Sequence, residues 1–396
     1  MPFTRGKRAQ ARVNAKNKAK ENTNEQGGAG VKRTASPSQE APKKRVAFLN
    51  LTNAGKSRVR LPGRKDSSKK KAKAAPATSE TGAENKVPNV DKDENEEGIV
   101  LAPAEVLKAP PAHLERPQIP AEFDVDAENR DDCMMCPEYA KDIFDYLKSR
   151  EEKFTLHDFM ALQPTINAEM RAILVDWLVE VQENFQLYHE TLYLAVKLTD
   201  HFLARTAIAR DTLQLLGSAA MLIACKFEER NPPCLDDFLY ICDDTYNKEE
   251  FLSMESCIFK TLGYDIGIPV AYSFLRRYSK CASVGMDTLT LARYYCELSL
   301  MDVELAQERA SLLAAACLFL ALLTSDLGGW SPILEFHSGY TQLEVGPVVL
   351  RVRSMVARPP KSNLMAIREK YAHPVFFQVA QLPLMDVDVL EKMLST

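Results

Sequence analysis

NAEMRAILVDWLVEVQENF, residues 167–185, is the stretch on which the fold turns. Pro164 interrupts the chain before it, and Asn167 is placed to cap the free N–H groups of a first helical turn. From there Ile173, Leu174, Val175, Trp177, Leu178, Val179 and Val181 spread apolar surface over most of the helix circumference. A helix apolar all round is normally the buried centre of its domain. On residue chemistry alone, Met170 and Trp177 belong to that core.

Outward from this helix the same period continues. Helices are expected at 189–204, 211–228, 235–242 and 248–262, the last opened by the capping-box spacing Asn247-Lys248-Glu249-Glu250 and closed by Gly263. After a break at Gly267-Ile268-Pro269, with Pro269 suited to a first helical turn, helices are expected at 269–280, 287–303, 306–323, 331–338, 341–357 and 363–371. Strand signals are almost absent, and no short repeat period suggests a solenoid. Upstream, EYAKDIFDYLKSREEKF (138–154) puts Tyr139, Ile143, Tyr146 and Leu147 on one helical face. That helix is too short to have its own core, so its stripe must pack on something. The reading is all-α: a short leading helix and connector over 137–165, then two similar bundles over 166–267 and 268–396.

Residues 1–136 are of another kind. Lys and Arg exceed Asp and Glu by 21 to 5 over residues 1–80, whereas acids exceed bases by 14 to 5 over 81–137. With few large apolar residues, this segment is expected to be a disordered tail and linker. No run of 18 apolar residues suggests a membrane span, and the first residues lack the apolar region of a secretory signal. The nine cysteines are therefore expected as free thiols, with Cys225, Cys257, Cys296 and Cys317 as small core residues. Cys133 and Cys136 have CxxC spacing, but no second pair completes a zinc site. No metal or cofactor is expected. A Gly-rich phosphate loop, HExxH and GxSxG are all missing, and the six His show no ligand spacing, so catalysis is not expected.

MRAILVDWLVEV (170–181), ETLYLAVKLTDHFL (190–203), LQLLGSAAMLIACKFEE (213–229), DDTYNKEEFLSMESCIFKTLGYD (243–265) and FLRRYSK (274–280), in this order, closely resemble the cyclin box of A- and B-type cyclins. The resemblance covers about residues 137–390. It implies two tandem five-helix cyclin folds and a non-catalytic subunit that binds and activates a cyclin-dependent kinase at G2/M, in mitosis or meiosis. Lys226, Phe227 and Glu228 of KFEE, together with Glu255, match kinase-binding positions of the family. Lys226 and Glu255 also suit an internal ion pair, and the two readings are compatible. Tyr139 and Ile143 match positions that pack on the kinase. Arg171 and Asp200 match an internal salt bridge of the family. Met170, Ile173, Leu174, Trp177, Glu180, Leu213 and Gln214 match an exposed groove that takes RxL-type substrates, with Ile173 ambiguous between groove and core. Arg276 and Arg293 fall where some B-type cyclins hold a phosphate pocket. Leu289 stands in place of that pocket's His, so two exposed arginines on solvated faces is the expectation here.

In the tail, Arg45 to Asn53 resembles a cyclin destruction box with Phe48 in place of the usual Leu, the mark of the third B-type subtype. Such a box implies recognition by the anaphase-promoting ubiquitin ligase. Lys20-Glu21-Asn22 is a KEN tripeptide, Ser36-Pro37 a minimal proline-directed phosphosite, and Lys43-Lys44-Arg45 and Arg64 to Lys73 read as nuclear import signals. A nuclear protein is expected. A DNA-bound initiation factor of the same helical fold is the competing function. It would need a basic folded surface and usually a zinc ribbon, and 138–396 carries 24 bases against 35 acids, so no direct nucleic-acid contact is expected.

Overall fold

The computed structural model describes residues 119–132, 135–359, 361 and 363–395, and every regular element among them is helical. The leading helix is α1 (Ala140–Arg150). The first bundle comprises α2 (Ala168–Phe185), α3 (His189–Leu203), α4 (Leu213–Glu228), α5 (Leu235–Ile241) and α6 (Lys248–Thr261). The second comprises α7 (Ala271–Cys281), α8 (Met286–Ser299), α9 (Ala310–Thr324), α10 (Pro332–Ser338) and α11 (Gln342–Ala357). Two short helices follow, α12 (Ala366–Ala372) and α13 (Val387–Leu394).

Several ends form as their local chemistry requires. Asn167 Oδ1 accepts from Met170 N at 2.9 Å, and Asn247 and Glu250 exchange both bonds of a capping box. Gly263 takes φ +63° just past α6, where a side chain is disfavoured. Three boundaries differ from expectation. Pro269 lies before the N-cap Val270, so α7 starts at Ala271 rather than on the proline. Between α8 and α9 the chain makes only a turn at Leu305–Gln307. The terminal α13, capped by Asp386, was not expected; eight residues are too few for periodicity to stand out.

Each bundle is organised around its third helix. α4 packs against α2, α3 and α6, and α9 against α7, α8 and α11. Both are rich in small residues (Gly217, Ser218, Ala219, Ala220 in one, Ala314, Ala315, Ala316 in the other), all buried, so neighbouring helices approach closely. At Gly217 a Cβ would stand 2.6 Å from Leu174 Cδ1, so any larger residue there would force the Leu174 side chain to shift. Cys225, Cys296 and Cys317 are buried as expected, but Cys257 is exposed, on the side of α6 that turns away from the buried Phe251 and Ile258.

α2 joins the two bundles. Arg171 grips Asp200 of α3 with two bonds of 2.6 Å, and its remaining nitrogen, Nη1, donates to the Leu300 carbonyl at the end of α8 at 2.9 Å. The pair is 0% and 1% exposed. Further along α2, Asp176 accepts from Ala366 N and so caps α12. Gln182 accepts from Lys370, which also meets Glu297 of α8 beside Tyr371. The all-round apolar character of α2 follows from its being covered on one side by its own bundle and on another by α12.

The expected onset of order at Pro137 is corrected. Residues 119–132 already lie against the second bundle, where Asp126 is buried against Arg277. Their acidic composition signals a linker because the partner bases lie 151 and 154 positions downstream. The rest of the expected tail, 1–118, and Cys133 lie outside the described residues, so the disorder, destruction-box, KEN, phosphosite and import expectations do too.

Arg171→Ala should leave Asp200 buried without its cation, at a cost of about 3–5 kcal/mol. The expected result is a fall in melting temperature of about 10 °C by circular dichroism, at roughly 2–4 °C per kcal/mol. Replacing both partners by apolar residues should recover most of the loss.

His201 supplies a pH test. Burial, followed by the nearby Lys197 and Arg205, lowers its pKa from the ordinary 6.5 to about 3. The unfolded chain takes up this proton below pH 6.5 while the folded chain refuses it, so stability is present above that pH and is lost on acidification. Between pH 6.5 and 5 the loss through this residue is about 2 kcal/mol. Urea melts should show that slope in the native chain and a flatter one in His201→Gln.

Candidate protein-docking face

An open concavity of about 460 Å³ is lined by Lys226, Leu252, Glu255, Ser256, Phe259 and Tyr264. The helix α6 builds its wall from residues 252, 255, 256 and 259, the i, i+3, i+4, i+7 spacing of one helical face. Lys226, at the end of α4, pairs with Glu255 at 2.5 Å, with the Lys side chain about half exposed and the Glu largely covered. The internal ion pair allowed by the sequence is therefore formed, and its cation remains open to solvent.

The surroundings present this pair. Phe227 is exposed, and Glu228 is half-buried with its pKa raised by burial and by the neighbouring Glu190 and Glu229. Glu229 turns inward, accepting from Tyr188 N at 2.6 Å and Thr191 Oγ1 at 2.8 Å. It thereby caps the start of α3 and fixes the end of α4 that carries Lys226 and Phe227. Tyr264, 69% exposed, takes φ +61° just after Gly263 and stacks on Phe259 with centroids 6.3 Å apart. Nothing in the sequence marks Tyr264 or Glu229 for these places. Leu252 and Phe259, by contrast, share the helical spacing of Glu255.

The leading helix stands beside the concavity. Arg150 at its end donates to Asp265 at 2.6 Å and to the Gly267 carbonyl at 3.1 and 3.2 Å, and Lys153 also pairs with Asp265. Lys153 and Arg150 outweigh burial and hold the Asp265 carboxyl below its ordinary range. The stripe read from the sequence divides. Leu147 and the adjacent Phe144 pack on the core, while Tyr139, Ile143 and Tyr146 stay exposed. The second bundle thus supplies part of what α1 needs, and an apolar face is left outward. Contiguous exposed apolar groups of this kind mark interaction surfaces.

The seven residues matched to a substrate groove lie at the junction of α2 and α4, but most do not face solvent. Met170, Ile173 and Leu213 are buried and Leu174 is 0% exposed. Leu174 seats against Gly217. Gln214 is buried as well, and Trp177 and Glu180 are half-buried, so of the seven only these two reach the surface. The expectation of two solvated arginines is corrected as well. Arg276 is exposed and pairs with Glu190 at 3.1 Å. Arg293 is half-buried instead, its guanidinium 5.6 Å from the Tyr371 ring centroid and 5.3 Å from that of Phe376, and bonded to His189 at 3.2 Å. Leu289 is partly buried and packs on the core.

No group of His, Cys, Asp or Glu among the described residues is arranged to hold a metal. No described helix is long and apolar enough to cross a membrane.

Comparison with known proteins agrees with this geometry. The cyclin N-terminal domain model matches residues 142–267 and the cyclin C-terminal domain model residues 269–385. The chain is 49% identical to the G2/mitotic-specific cyclin-B3 of Gallus gallus over 372 residues, covering 93% of this chain and 92% of the relative. It is 52% identical to the protein of that name from Homo sapiens over 272 residues, 69% of this chain but only 19% of the longer human protein. The crystal structure of a viral cyclin from herpesvirus saimiri shares the fold at TM-score 0.50 and 22% identity, covering 55% of this chain and 97% of that one. With both domain models matched in order and relatives of the third B subtype near half identity, the chain belongs to the cyclin family, in its B-type mitotic branch, and its part is regulatory rather than catalytic.

Proposed function

We propose that the chain binds a cyclin-dependent kinase at G2/M through the Lys226–Glu255 concavity and the outer face of α1, and switches it on. The observation that carries this reading is the ion pair itself. It is formed within the chain, yet it lies in an open concavity among the exposed Phe227, Leu252 and Tyr264. An ion pair needed only for stability has no use for such a border.

The mechanism supplies no acid, base or nucleophile. A protein kinase is active when its internal Lys–Glu pair is formed and its activation loop has moved aside, and both depend on the position of its mobile C helix. A rigid apolar concavity with a fixed ion pair binds the active placement of that helix better than the inactive one. The difference in affinity shifts the kinase population toward the active form. The border of the concavity provides apolar contact, while Lys226 Nζ and the Glu255 carboxylate offer hydrogen bonds to the helix backbone or its side chains.

Substrate recruitment is the second part of the proposal. Trp177 and Glu180 form the accessible edge of the α2–α4 junction, where a carboxylate and an indole suit the Arg and Leu of an RxL motif. Removal of the chain through Arg45, Phe48 and Asn53, with Lys20-Glu21-Asn22 in support, by the anaphase-promoting ubiquitin ligase completes it, as does nuclear import through the basic runs. The lifetime of a Phe48→Ala chain through mitotic exit measures the degradation part.

The charge-swapped chain Lys226→Glu, Glu255→Lys separates interface from scaffold. The internal pair is kept with its polarity reversed and its residue 226 end stays open to solvent, so the melting temperature should stay within a few degrees of the native value. Histone phosphorylation by the added mitotic cyclin-dependent kinase should be abolished. Full activation by the swapped chain would sink the reading.

A further inference from the structure

Residues 119–132 precede every α-helix described, yet the fold holds them firmly. Both carboxylate oxygens of Asp126 accept from Arg277 of α7 at 2.7 Å, and Lys280 adds a third bond at 2.8 Å. The side chains of Asp126 and Arg277 are 6% and 5% exposed. Burial works against the charged carboxylate, but Arg277 and Lys280 outweigh it and hold its pKa below the ordinary range. Three residues earlier, Phe123 stacks on Phe336 of α10, with centroids 4.7 Å apart and planes at 12°. The Phe123 carbonyl lies 2.8 Å from His337 Nε2.

The residues that hold this strap also hold α1. The guanidinium of Arg277 lies 5.6 Å from the centroid of the Phe144 ring, and Lys141 Nζ lies 5.9 Å from the centroid of Phe336. Phe144 also meets Phe274, one turn of α7 before Arg277, at 5.9 Å. The strap grips Arg277 and Phe336, and α1 rests on the same two residues. Phe144 points inward from α1 while Tyr139 and Ile143 are exposed. Without Asp126, Arg277 would keep a buried charge without a carboxylate and would have to move or draw in water. Either change withdraws the plane on which Phe144 rests.

We propose that Asp126 is a positioning residue for kinase binding: by fixing Arg277 against Phe144, it sets where α1 presents Tyr139 and Ile143. The proposal rests on the kinase-binding reading above and extends it to a segment buried away from the docking face. The functional unit accordingly begins before α1, and a chain cut at Pro137 would lose the strap while keeping both bundles.

The test titrates the full chain into a fixed amount of purified mitotic cyclin-dependent kinase and reads histone phosphorylation. Asp126→Ala is expected to raise the concentration for half-maximal activity about tenfold and to leave the plateau unchanged. Phe123→Ala, which leaves the ion pair in place, should shift the curve in the same direction by less. Should the Ala chain not fold, Asp126→Asn keeps the shape and one acceptor, and the same direction is expected of it. In a chain already carrying Tyr139→Ala and Ile143→Ala, Asp126→Ala should shift the curve no further, because residues acting through one contact are not additive. A plain loss of folded protein would instead shift every curve by the same factor, whatever stands at 139 and 143, and that outcome would overturn the proposal. A normal native curve beside an unshifted Asp126→Ala curve would condemn the role of Asp126 alone. A native chain that failed to activate the kinase would bring down the kinase reading and this role with it.

Discussion

A single buried guanidinium ties the molecule together. Arg171 spends two of its nitrogens on Asp200 within the first bundle and a third on the Leu300 carbonyl of the second. A charge at 0% exposure is tolerable only when all its donors are met with good geometry. The relative placement of the bundles is therefore a condition for satisfying Arg171. The other polar contacts of α2, Asp176 to the start of α12 and Gln182 to Lys370, extend the same condition along the helix. Apolar packing supplies most of the favourable free energy of burial. These directional bonds hold α2 to both the α8 end and α12 at defined points.

Rigidity is what the proposed function requires. A partner whose own helix must be moved can be biased only by a surface that does not yield. The concavity at Lys226 has its walls on α4 and α6, its entrance fixed by Glu229 against α3, and its neighbour α1 tied down through Arg150 at Asp265 and Gly267. On its other side α1 leans on the second bundle, through Phe144 against Phe274 and Lys148 to the Ser338 carbonyl. The second bundle thus acts on the docking face without forming part of it.

Much of this was legible in the sequence because helices declare themselves by period and cap. Asn167, Asn247 with Glu250, and Gly263 all do locally what their chemistry suggests. The Arg171–Asp200 pair came from a resemblance, and the Lys226–Glu255 pair from the chemistry of two residues which that resemblance singled out; no spacing rule would have found either, since each joins residues 29 positions apart. The Leu300 carbonyl is a backbone acceptor and carries no residue signature at all. The strap was misread because its acidic, Pro-flanked composition is that of a solvated linker, and only the folded second bundle brings Arg277 to Asp126. Leu174 matches a groove position of the family, and here it is fully covered, with its side chain against Gly217. Arg293 looked solvated on its own helix, and the aromatic rings that cover it arrive from α12 and the turn after it.

The central claim is that one face, built from the end of α4, the outer side of α6 and the exposed stripe of α1, receives the kinase. Backbone hydrogen exchange of the full chain, measured with and without a saturating mitotic cyclin-dependent kinase, tests it directly. The account predicts new protection in residues 139–147, 226–228 and 252–264, with the outer faces of α11 and α13 unchanged. Protection confined to the second bundle, or no kinase-dependent change in those three segments, would contradict it.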